Sequence, residues 1–211
     1  MPEPAPSRPT ATKPRGRPGY DQQSVLKIAV DVFNERGFEA TSMGVLAGTL
    51  GITKSAIYHH VSSKGDLLRL ALDRGLDGLE GVLHESGASQ GLAADRLEYV
   101  LRRTVDVMVA ELPYVTLLLR LRGNTQMERD AMTRRRTFNA QVTKLVKAAT
   151  AEGSMRSDID PAITSRLLFG AVNSIVDWYR PGGNITAQKL ADHIVAMTFD
   201  GLRVSATERV S

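Results

Sequence analysis

The proline-rich amino terminus of this chain is followed by short stretches with apolar residues at helical spacing. Each stretch is bounded by residues that start or stop a helix. Asp21 is a favourable N-cap, and apolar residues at helical spacing continue from it until Gly37 ends the pattern. Thr41 can cap a second helix that ends at Gly51, and Thr53 can cap a third that runs to about residue 60. Two short helices joined by a tight, glycine-containing turn predict a helix-turn-helix.

The third helix separates its polar residues from its apolar ones. If Ala56 and Ile57 pack inward, the polar residues share the opposite surface, because positions i and i+4 lie on one side of a helix. Lysine and serine in the first turn of such a helix can reach base edges, whereas a tyrosine hydroxyl and a histidine N–H are typical phosphate partners. The predicted DNA-binding surface consists of Lys54, Ser55, Tyr58 and His59.

The adjacent residues His59 and His60 raise the alternative of a metal site. Neighbouring positions on a helix point about 100° apart, and no nearby carboxylate or cysteine completes a ligand set. A short surface helix also offers no pocket for catalysis. We therefore assign His59 to the DNA backbone, whereas His60 either closes the helix end or touches phosphate.

The composition excludes several classes of protein. The chain has no cysteine, which excludes disulfides, thiolate nucleophiles and cysteine-bound zinc. No apolar run approaches the roughly 18 residues that span a bilayer, and no signal peptide is apparent. Because nucleophile motifs, glycine-rich phosphate loops and metal-spaced clusters are also lacking, we expect a soluble, cytoplasmic protein that is not an enzyme and needs no cofactor.

Most of the net positive charge lies in the first 20 residues, which contain four basic residues and one acidic residue in a chain of net charge +4. Six of the nine prolines lie there too, so residues 1–19 are predicted to form a basic arm that is disordered when free. Lys13–Pro18 resembles the core of an AT-hook, in which Arg15 and Arg17 would lie in a narrow A/T-rich minor groove. The other interpretation is a solubilising tail.

Three stretches combine helix ends, turn glycines and polar positions in a specific pattern. They are Phe33–Thr41 (FNERGFEAT), Ala47–Val61 (AGTLGITKSAIYHHV) and Ser63–Leu68 (SKGDLL). This pattern resembles the amino-terminal DNA-binding domain of the TetR family of bacterial transcriptional regulators. The resemblance implies an all-α fold, with a three-helix DNA-binding domain at residues 20–66 and a larger ligand-binding and dimerisation domain at residues 67–205. It also implies a protein associated with the nucleoid.

The resemblance assigns a role to individual side chains. Lys54 and Ser55 are expected to approach bases, and Tyr58 and His59 to contact phosphates. Lys64, at the start of the next helix, is expected to bind a phosphate with its ammonium group. Thr53 belongs to the same predicted DNA-binding set.

The sequence departs from the family pattern near these residues. Many members have phenylalanine at the position of Val61 and a carboxylate at that of Gly65, so the start of the fourth helix is expected to be looser. Gly44 stands on the second helix where members often carry a base-reading residue. The second helix is therefore expected to read little sequence, which leaves base reading to Lys54, Ser55 and the arm.

The remainder of the chain is predicted to be helical. A break is expected at Pro113, since proline lacks the N–H that a helix interior needs. The predicted helices are Lys64–Leu83, Leu92–Leu112, Gln126–Ala151, Pro161–Tyr179 and Thr186–Leu202.

The last two of these helices carry apolar stripes. The resemblance implies that they pair with their copies in a homodimer, which would place two recognition helices in successive major grooves of a palindromic operator. The alternative is an internal core, which helical patterning does not distinguish from an interface. The stripes consist of Ile163, Leu167, Val172, Ile175 and Val176, and of Leu190, Ile194, Val195 and Phe199.

The resemblance further implies a small-molecule effector in the larger domain, although each candidate pocket residue could equally be ordinary core. The segment Trp178–Gly183 with Thr186–Gln188 looks like the matching connection in actinobacterial TetR-type repressors that respond to acyl-CoA thioesters. Guanidinium groups suit the phosphates of CoA, but a tight turn with solvated arginines is the plain alternative. Other apolar or aromatic effectors remain open. The candidate ligand-binding residues are Tyr99, Met108, Tyr114, Leu117, Leu118, Arg120, Leu121, Phe138, Trp178 and Arg180.

These observations favour a homodimeric repressor that binds double-stranded operator DNA and that leaves the DNA when it binds a small-molecule effector. The competing hypothesis is an architectural protein that binds A/T-rich DNA without an effector. A large apolar second domain argues against it, because DNA packaging alone does not need one.

Overall fold

The structure, a computed structural model, describes residues 20–202, without the side chain of Leu202. The predicted basic arm, residues 1–19 with Arg15 and Arg17, lies outside the described residues. Within the described range the fold is all-α, as predicted, and no helix there is long and apolar enough to cross a membrane. The helices are α1 (Gln22–Arg36), α2 (Met43–Leu50), α3 (Lys54–Tyr58), α4 (Lys64–Val82), α5 (Ser86–Ser89), α6 (Ala93–Ala110), α7 (Leu112–Leu119), α8 (Gln126–Ala151), α9 (Pro161–Asn173), α10 (Ile175–Trp178) and α11 (Ala187–Leu202).

Two of the three predicted N-caps, Asp21 and Thr53, are confirmed. Asp21 caps α1, since its carboxylate accepts a hydrogen bond from the Ser24 amide at 2.7 Å. The cap of α2 is Ser42 and not Thr41, so that prediction was wrong. The Thr41 side chain is buried, and its hydroxyl donates to the Gly37 carbonyl at 2.8 Å, which leaves the capping position to the next residue.

The predicted turn between α2 and α3 is present. Gly51 ends α2 in the left-handed conformation with φ of 65°, which favours glycine. The Thr53 hydroxyl oxygen accepts from the Ala56 amide at 3.2 Å and so caps α3. This helix ends at Tyr58, about two residues earlier than predicted, and His59 is its C-cap.

A small core holds the first three helices against the start of α4. Ile57 supplies the only fully buried side chain of α3 within the described chain, and Val25, Leu46 and Leu67 from the other helices are fully buried as well. Burying one such side chain contributes about 1.5–3 kcal/mol. Ile57 therefore fixes how α3 is rotated and which of its residues face outward.

The larger part of the molecule is built around α8, which packs against α4, α6 and α9. The break at Pro113 differs from the prediction, because α6 already ends at Ala110 and the proline lies in the first turn of α7. A proline at this position costs no hydrogen bond, since the first N–H groups of a helix have no partner within it. Pro113 thus starts a helix.

The two predicted apolar stripes divide between the interior and the surface. Most of their side chains are buried within the chain, and α11 packs against α6. Ile163 and Leu167 of α9 are instead 57% and 70% exposed. Met197 of α11, which was not among the predicted residues, is 69% exposed. The buried members of the stripes are Val172, Ile175, Leu190, Ile194, Val195 and Phe199.

Candidate nucleic-acid interface and effector clefts

The outward face of α3 presents polar side chains to solvent. Tyr58 is 51% exposed, whereas Ile57, the residue before it, is fully buried. The oxygen of the Thr53 hydroxyl accepts the capping hydrogen bond, and its O–H has no acceptor among the described residues, so it can donate to a phosphate. The exposed residues of this face are Thr53, Lys54, Ser55, Tyr58 and His59.

Lys64 makes contacts that sequence reasoning missed. Its Nζ donates to the Phe38 carbonyl at 2.8 Å and lies 4.1 Å from the centroid of the Phe38 ring. These contacts tie the start of α4 to the loop after α1. An ammonium group has three N–H donors, so phosphate binding by Lys64 stays a prediction beside this structural role.

His60 differs from His59 in its surroundings. It is half-buried, and its backbone carbonyl accepts from the Gln22 side chain at 2.8 Å. The pKa of the Asp21 carboxyl lies below its ordinary value, chiefly because it accepts hydrogen bonds from Ser24, and the charge of His60 adds a smaller contribution. These contacts favour the structural interpretation of His60.

Three contacts connect the helix-turn-helix to the larger domain through α1 and α4. The Asn34 side chain donates to the Pro113 carbonyl at 2.8 Å, and Arg120 Nη1 donates to the Asn34 carbonyl at 3.0 Å. Arg74 of α4 forms a two-pronged ion pair with Glu111, at 2.7 and 3.0 Å. The start of α7 is thus joined to both α1 and α4, and its C-cap residue is joined to α1.

A single arginine of α8 holds three carboxylates of α4. Arg134 donates to Asp73 at 3.0 Å, to Asp77 at 2.6 Å and to both oxygens of Glu80 at 3.0 and 2.7 Å. The hydrogen bonds to Glu80, followed by that to Asp77, raise the pKa of the guanidinium. The contacts fix α8 to the helix that leads into the DNA-binding region.

One cleft, which we call cleft A, has a cavity volume of about 580 Å³ and lies between the end of α4, α5, the start of α6 and the middle of α8. Its floor is apolar, and its rim carries three basic groups and the Glu80 carboxylate that Arg134 holds. This combination suits a ligand with an apolar body and an anionic group. The lining residues are Glu80, Leu83, His84, Ala88, Arg96, Thr137, Phe138, Gln141, Lys144, Leu145 and Ala148.

A second cleft, cleft B, has a volume of about 440 Å³ and lies where the end of α1 meets the end of α7. Among the predicted ligand-binding residues, Leu117, Arg120 and Leu121 line it, whereas Phe138 lines cleft A. The described structure therefore does not bring the predicted residues together in one cavity.

The other predicted ligand-binding residues lie away from both clefts. Met108, Tyr114 and Leu118 are buried in the core. Tyr99 is half-buried, and its hydroxyl donates to Glu85 at 2.5 Å. Trp178 and Arg180 are exposed near the end of α10. The basic groups of cleft A were missed, because they come from the turn after α4, from α6 and from α8 and form no local motif: His84, Arg96 and Lys144.

An exposed polar recognition helix joined to a helical domain with clefts defines a helix-turn-helix regulator with a separate ligand-binding region. Residues 25–71 match the bacterial regulatory proteins of the tetR family, and residues 90–202, more than half of the chain, match the Tetracyclin repressor-like C-terminal domain. The chain belongs to the TetR family of transcriptional regulators.

Individual relatives agree with this assignment. The repressor KstR2 of Rhodococcus jostii is 29% identical over 202 residues, which cover 92% of this chain and 96% of that protein. The crystal structure of SCO3833, a TetR regulator from Streptomyces coelicolor, has 49% identity and a TM-score of 0.80 over 92% of this chain and 94% of that one. AibR, solved with isovaleryl coenzyme A and operator DNA, shares the fold with 23% identity and a TM-score of 0.71, over 84% and 97% of the two chains.

Proposed function

We propose that this protein is a homodimeric repressor that binds a palindromic operator and releases it when a small molecule occupies the larger domain. The observation that carries the proposal is the exposed set on α3, which Ile57 holds outward. Lys54 and Ser55 read base edges, while Thr53, Tyr58, His59 and Lys64 contact phosphates. The repressor name of KstR2 from Rhodococcus jostii supports the direction of regulation.

The exposed apolar side chains of the carboxy-terminal helices support a dimer. Ile163, Leu167 and Met197 lie on α9 and α11, and Trp178 follows on α10 with 48% of its surface exposed. Apolar groups of this size on adjacent helices are stabilised when a second copy covers them. A two-fold dimer presents two copies of α3 to successive major grooves and so requires a palindromic operator.

Cleft A is the proposed effector site because it is the larger of the two clefts and combines an apolar floor with basic groups. The proposed effector is an amphipathic anion, with acyl-CoA thioesters as the first class to test. The AibR complex with isovaleryl coenzyme A supports this choice. Guanidinium and ammonium groups suit both carboxylates and the phosphates of CoA.

The first experiment is a thermal-shift screen of the protein against CoA thioesters, free fatty and aromatic acids and common drugs. Ligands that raise the melting temperature are then tested for release of an operator selected from a randomised DNA library. A thioester that does both supports the CoA proposal, whereas release by a free acid alone eliminates it and leaves the repressor proposal standing. If no ligand releases DNA, the effector part of the proposal fails and the architectural hypothesis gains support.

The position of the effector is tested with a matched pair of variants on α8. Lys144 lies on the rim of cleft A, whereas Lys147 is exposed on the same helix and does not line the cleft. Lys144→Glu is expected to weaken binding of an anionic effector about tenfold, in the range of a lost charge-assisted contact. Lys147→Glu is expected to leave binding unchanged. Equal effects of the two variants would remove the effector from cleft A.

A further inference from the structure

Gly44, in the first turn of α2, lies directly beneath the Lys54 side chain. A Cβ atom added to Gly44 would stand 3.0 Å from Lys54 Cε and 3.4 Å from its Nζ. Contacts near 3.0 Å are tighter than ordinary van der Waals packing, so the lysine would have to move. Gly48, one turn further along the same helix, would meet nothing within 4 Å.

The backbone does not explain why residue 44 is glycine. Gly44 is not among the described glycines with positive φ, so its conformation is open to any residue. A glycine inside a helix costs about 0.5–1 kcal/mol relative to alanine. The space above Gly44 is occupied by the Lys54 side chain, whereas the space above Gly48 is open.

The surroundings of the Lys54 ammonium are electrostatically unfavourable for a positive charge. Its Nζ lies beside Gly44 in the first turn of α2, where the free N–H groups of a helix carry partial positive charge. Nζ also has no hydrogen bond or ion pair with any residue in the range 20–202. An acceptor brought by DNA therefore improves its surroundings, and the O6 and N7 atoms of guanine are the usual acceptors for lysine in the major groove.

We propose that Gly44 is a specificity-determining residue of the DNA interface that acts by positioning Lys54. Without a Cβ at residue 44, the lysine lies across the first turn of α2 and its ammonium is directed to one base pair of each operator half-site. Ordering a lysine side chain costs up to about 2 kcal/mol in conformational entropy. Because Lys54 already lies against Gly44, less of this cost remains when it binds DNA. The inference rests on the proposed DNA-binding function of α3.

The test compares Gly44→Ala with Gly48→Ala, with Lys54→Ala and with the Gly44→Ala/Lys54→Ala double variant. The wild-type protein is used to select an operator from a randomised double-stranded DNA library, and all variants are then measured on that operator and on its single-base-pair changes. We expect Gly44→Ala to weaken operator binding about five- to tenfold and to alter preference at the base pair that Lys54→Ala also affects. Gly48→Ala should bind as the wild type does.

Melting temperatures distinguish a change at the interface from a loss of folding. Both glycine variants are expected to melt at or above the wild-type temperature, since alanine favours a helix. In the Lys54→Ala background, Gly44→Ala should have no further effect on base preference.

Two results would overturn the inference while leaving the repressor proposal intact. They are equal DNA binding by the two glycine variants, or an effect of Gly44→Ala that persists after Lys54 is removed. If the wild-type protein enriches no sequence from the library, the proposed function itself fails and the inference fails with it.

Discussion

The recognition helix and cleft A differ in how far apart in the sequence their residues lie. The proposed DNA-binding face of α3 comes from a single short stretch, Thr53–His59. Cleft A draws its lining from α4, α5, α6 and α8, so residues nearly 70 positions apart meet in it. A local surface is specified by local spacing, whereas a cleft exists only after helices have packed.

The two regions also differ in what holds them. The recognition helix has five residues, and one buried side chain, Ile57, anchors it. Cleft A is framed by helices that ion pairs join, including those of Arg134 on α8 with three carboxylates on α4. Single substitutions are therefore expected to have large effects on the function of the recognition helix and moderate effects on that of cleft A.

The largest effect is expected from Ile57→Ala. Removing a fully buried isoleucine side chain costs about 2–5 kcal/mol, and here it also frees α3 to rotate. Operator binding should be lost, whereas thermal stabilisation by an effector in the larger domain should persist. Unfolding followed by circular dichroism, together with a DNA-binding assay, measures both quantities.

The control for Ile57→Ala is Ile185→Ala, at a position that is 40% exposed. This variant should change the free energy of unfolding by less than about 0.5 kcal/mol and should bind DNA normally. Full operator binding by Ile57→Ala would contradict the anchoring role of that side chain.

A smaller effect on DNA is expected from Leu167→Glu, which places a charge on the proposed dimer face of α9. The variant should sediment as a monomer and lose about 100-fold in operator affinity, because the two recognition helices no longer bind as one unit. Leu92→Glu is the matched control, since Leu92 is 57% exposed at the start of α6. A dimeric Leu167→Glu protein would place the interface elsewhere.

The sequence predicted the helices of the helix-turn-helix closely for a physical reason. Caps, turn glycines and face separation act within a few residues, so Asp21, Gly37, Gly51 and Thr53 could be assigned without a structure. That Ser42 and not Thr41 caps α2 could not be predicted, because it depends on tertiary packing, which buries the Thr41 side chain.

The sequence predicted less about the larger domain. Its long helices were predicted, but α5 and α7 were not, and the predicted helix Pro161–Tyr179 is divided into α9 and α10. Helical periodicity is also the same for a side chain that fills a core and for one that lines a cleft. Met108 and Leu118 are core residues, whereas Lys144 and Arg96 reach cleft A from different helices. The contact of Lys64 with the Phe38 carbonyl is equally non-local and could not be read from spacing.

Arg134→Met tests how the two regions are coupled. The side chain is about one-third exposed, so solvent weakens its ion pairs, and we expect the free energy of unfolding to fall by only about 1 kcal/mol. The effect of the effector on operator affinity should decrease more strongly. Glu80 lines cleft A, and the same guanidinium also contacts Asp73 and Asp77, which lie earlier on α4. The ratio of operator affinities without and with effector should decrease.

Arg129→Met is the control for this experiment. Arg129 lies on the same helix, but its guanidinium donates to the Gln126 side chain and to the Gly123 carbonyl in the loop before α8. The affinity ratio should be unchanged in this variant. An unchanged ratio in Arg134→Met would mean that the Arg134 cluster does not transmit the effector signal.

The smallest expected effect is the pH dependence contributed by Glu85 in the larger domain. Arg103 donates to its two oxygens at 2.9 and 3.1 Å, and Tyr99 donates as well. The Arg103 hydrogen bonds, followed by that of Tyr99, hold the pKa of Glu85 below its ordinary value of 4.5. A carboxyl group whose pKa is lowered by folding stabilises the protein above that ordinary value, and this contribution is lost as the pH falls through the lowered pKa.

Glu85→Gln should therefore destabilise the protein by at most about 1 kcal/mol near neutral pH, since the group is partly exposed. The difference from the wild type should shrink as the pH falls, because the protonated wild-type carboxyl resembles the amide. Glu35→Gln, at an exposed position without an ion pair to any described residue, should follow the wild type throughout. A difference that stays constant with pH would assign the effect to lost packing. Operator binding should be the same in both variants near neutral pH, since Glu85 lies outside the DNA-binding region and its ion pair joins only elements of the larger domain.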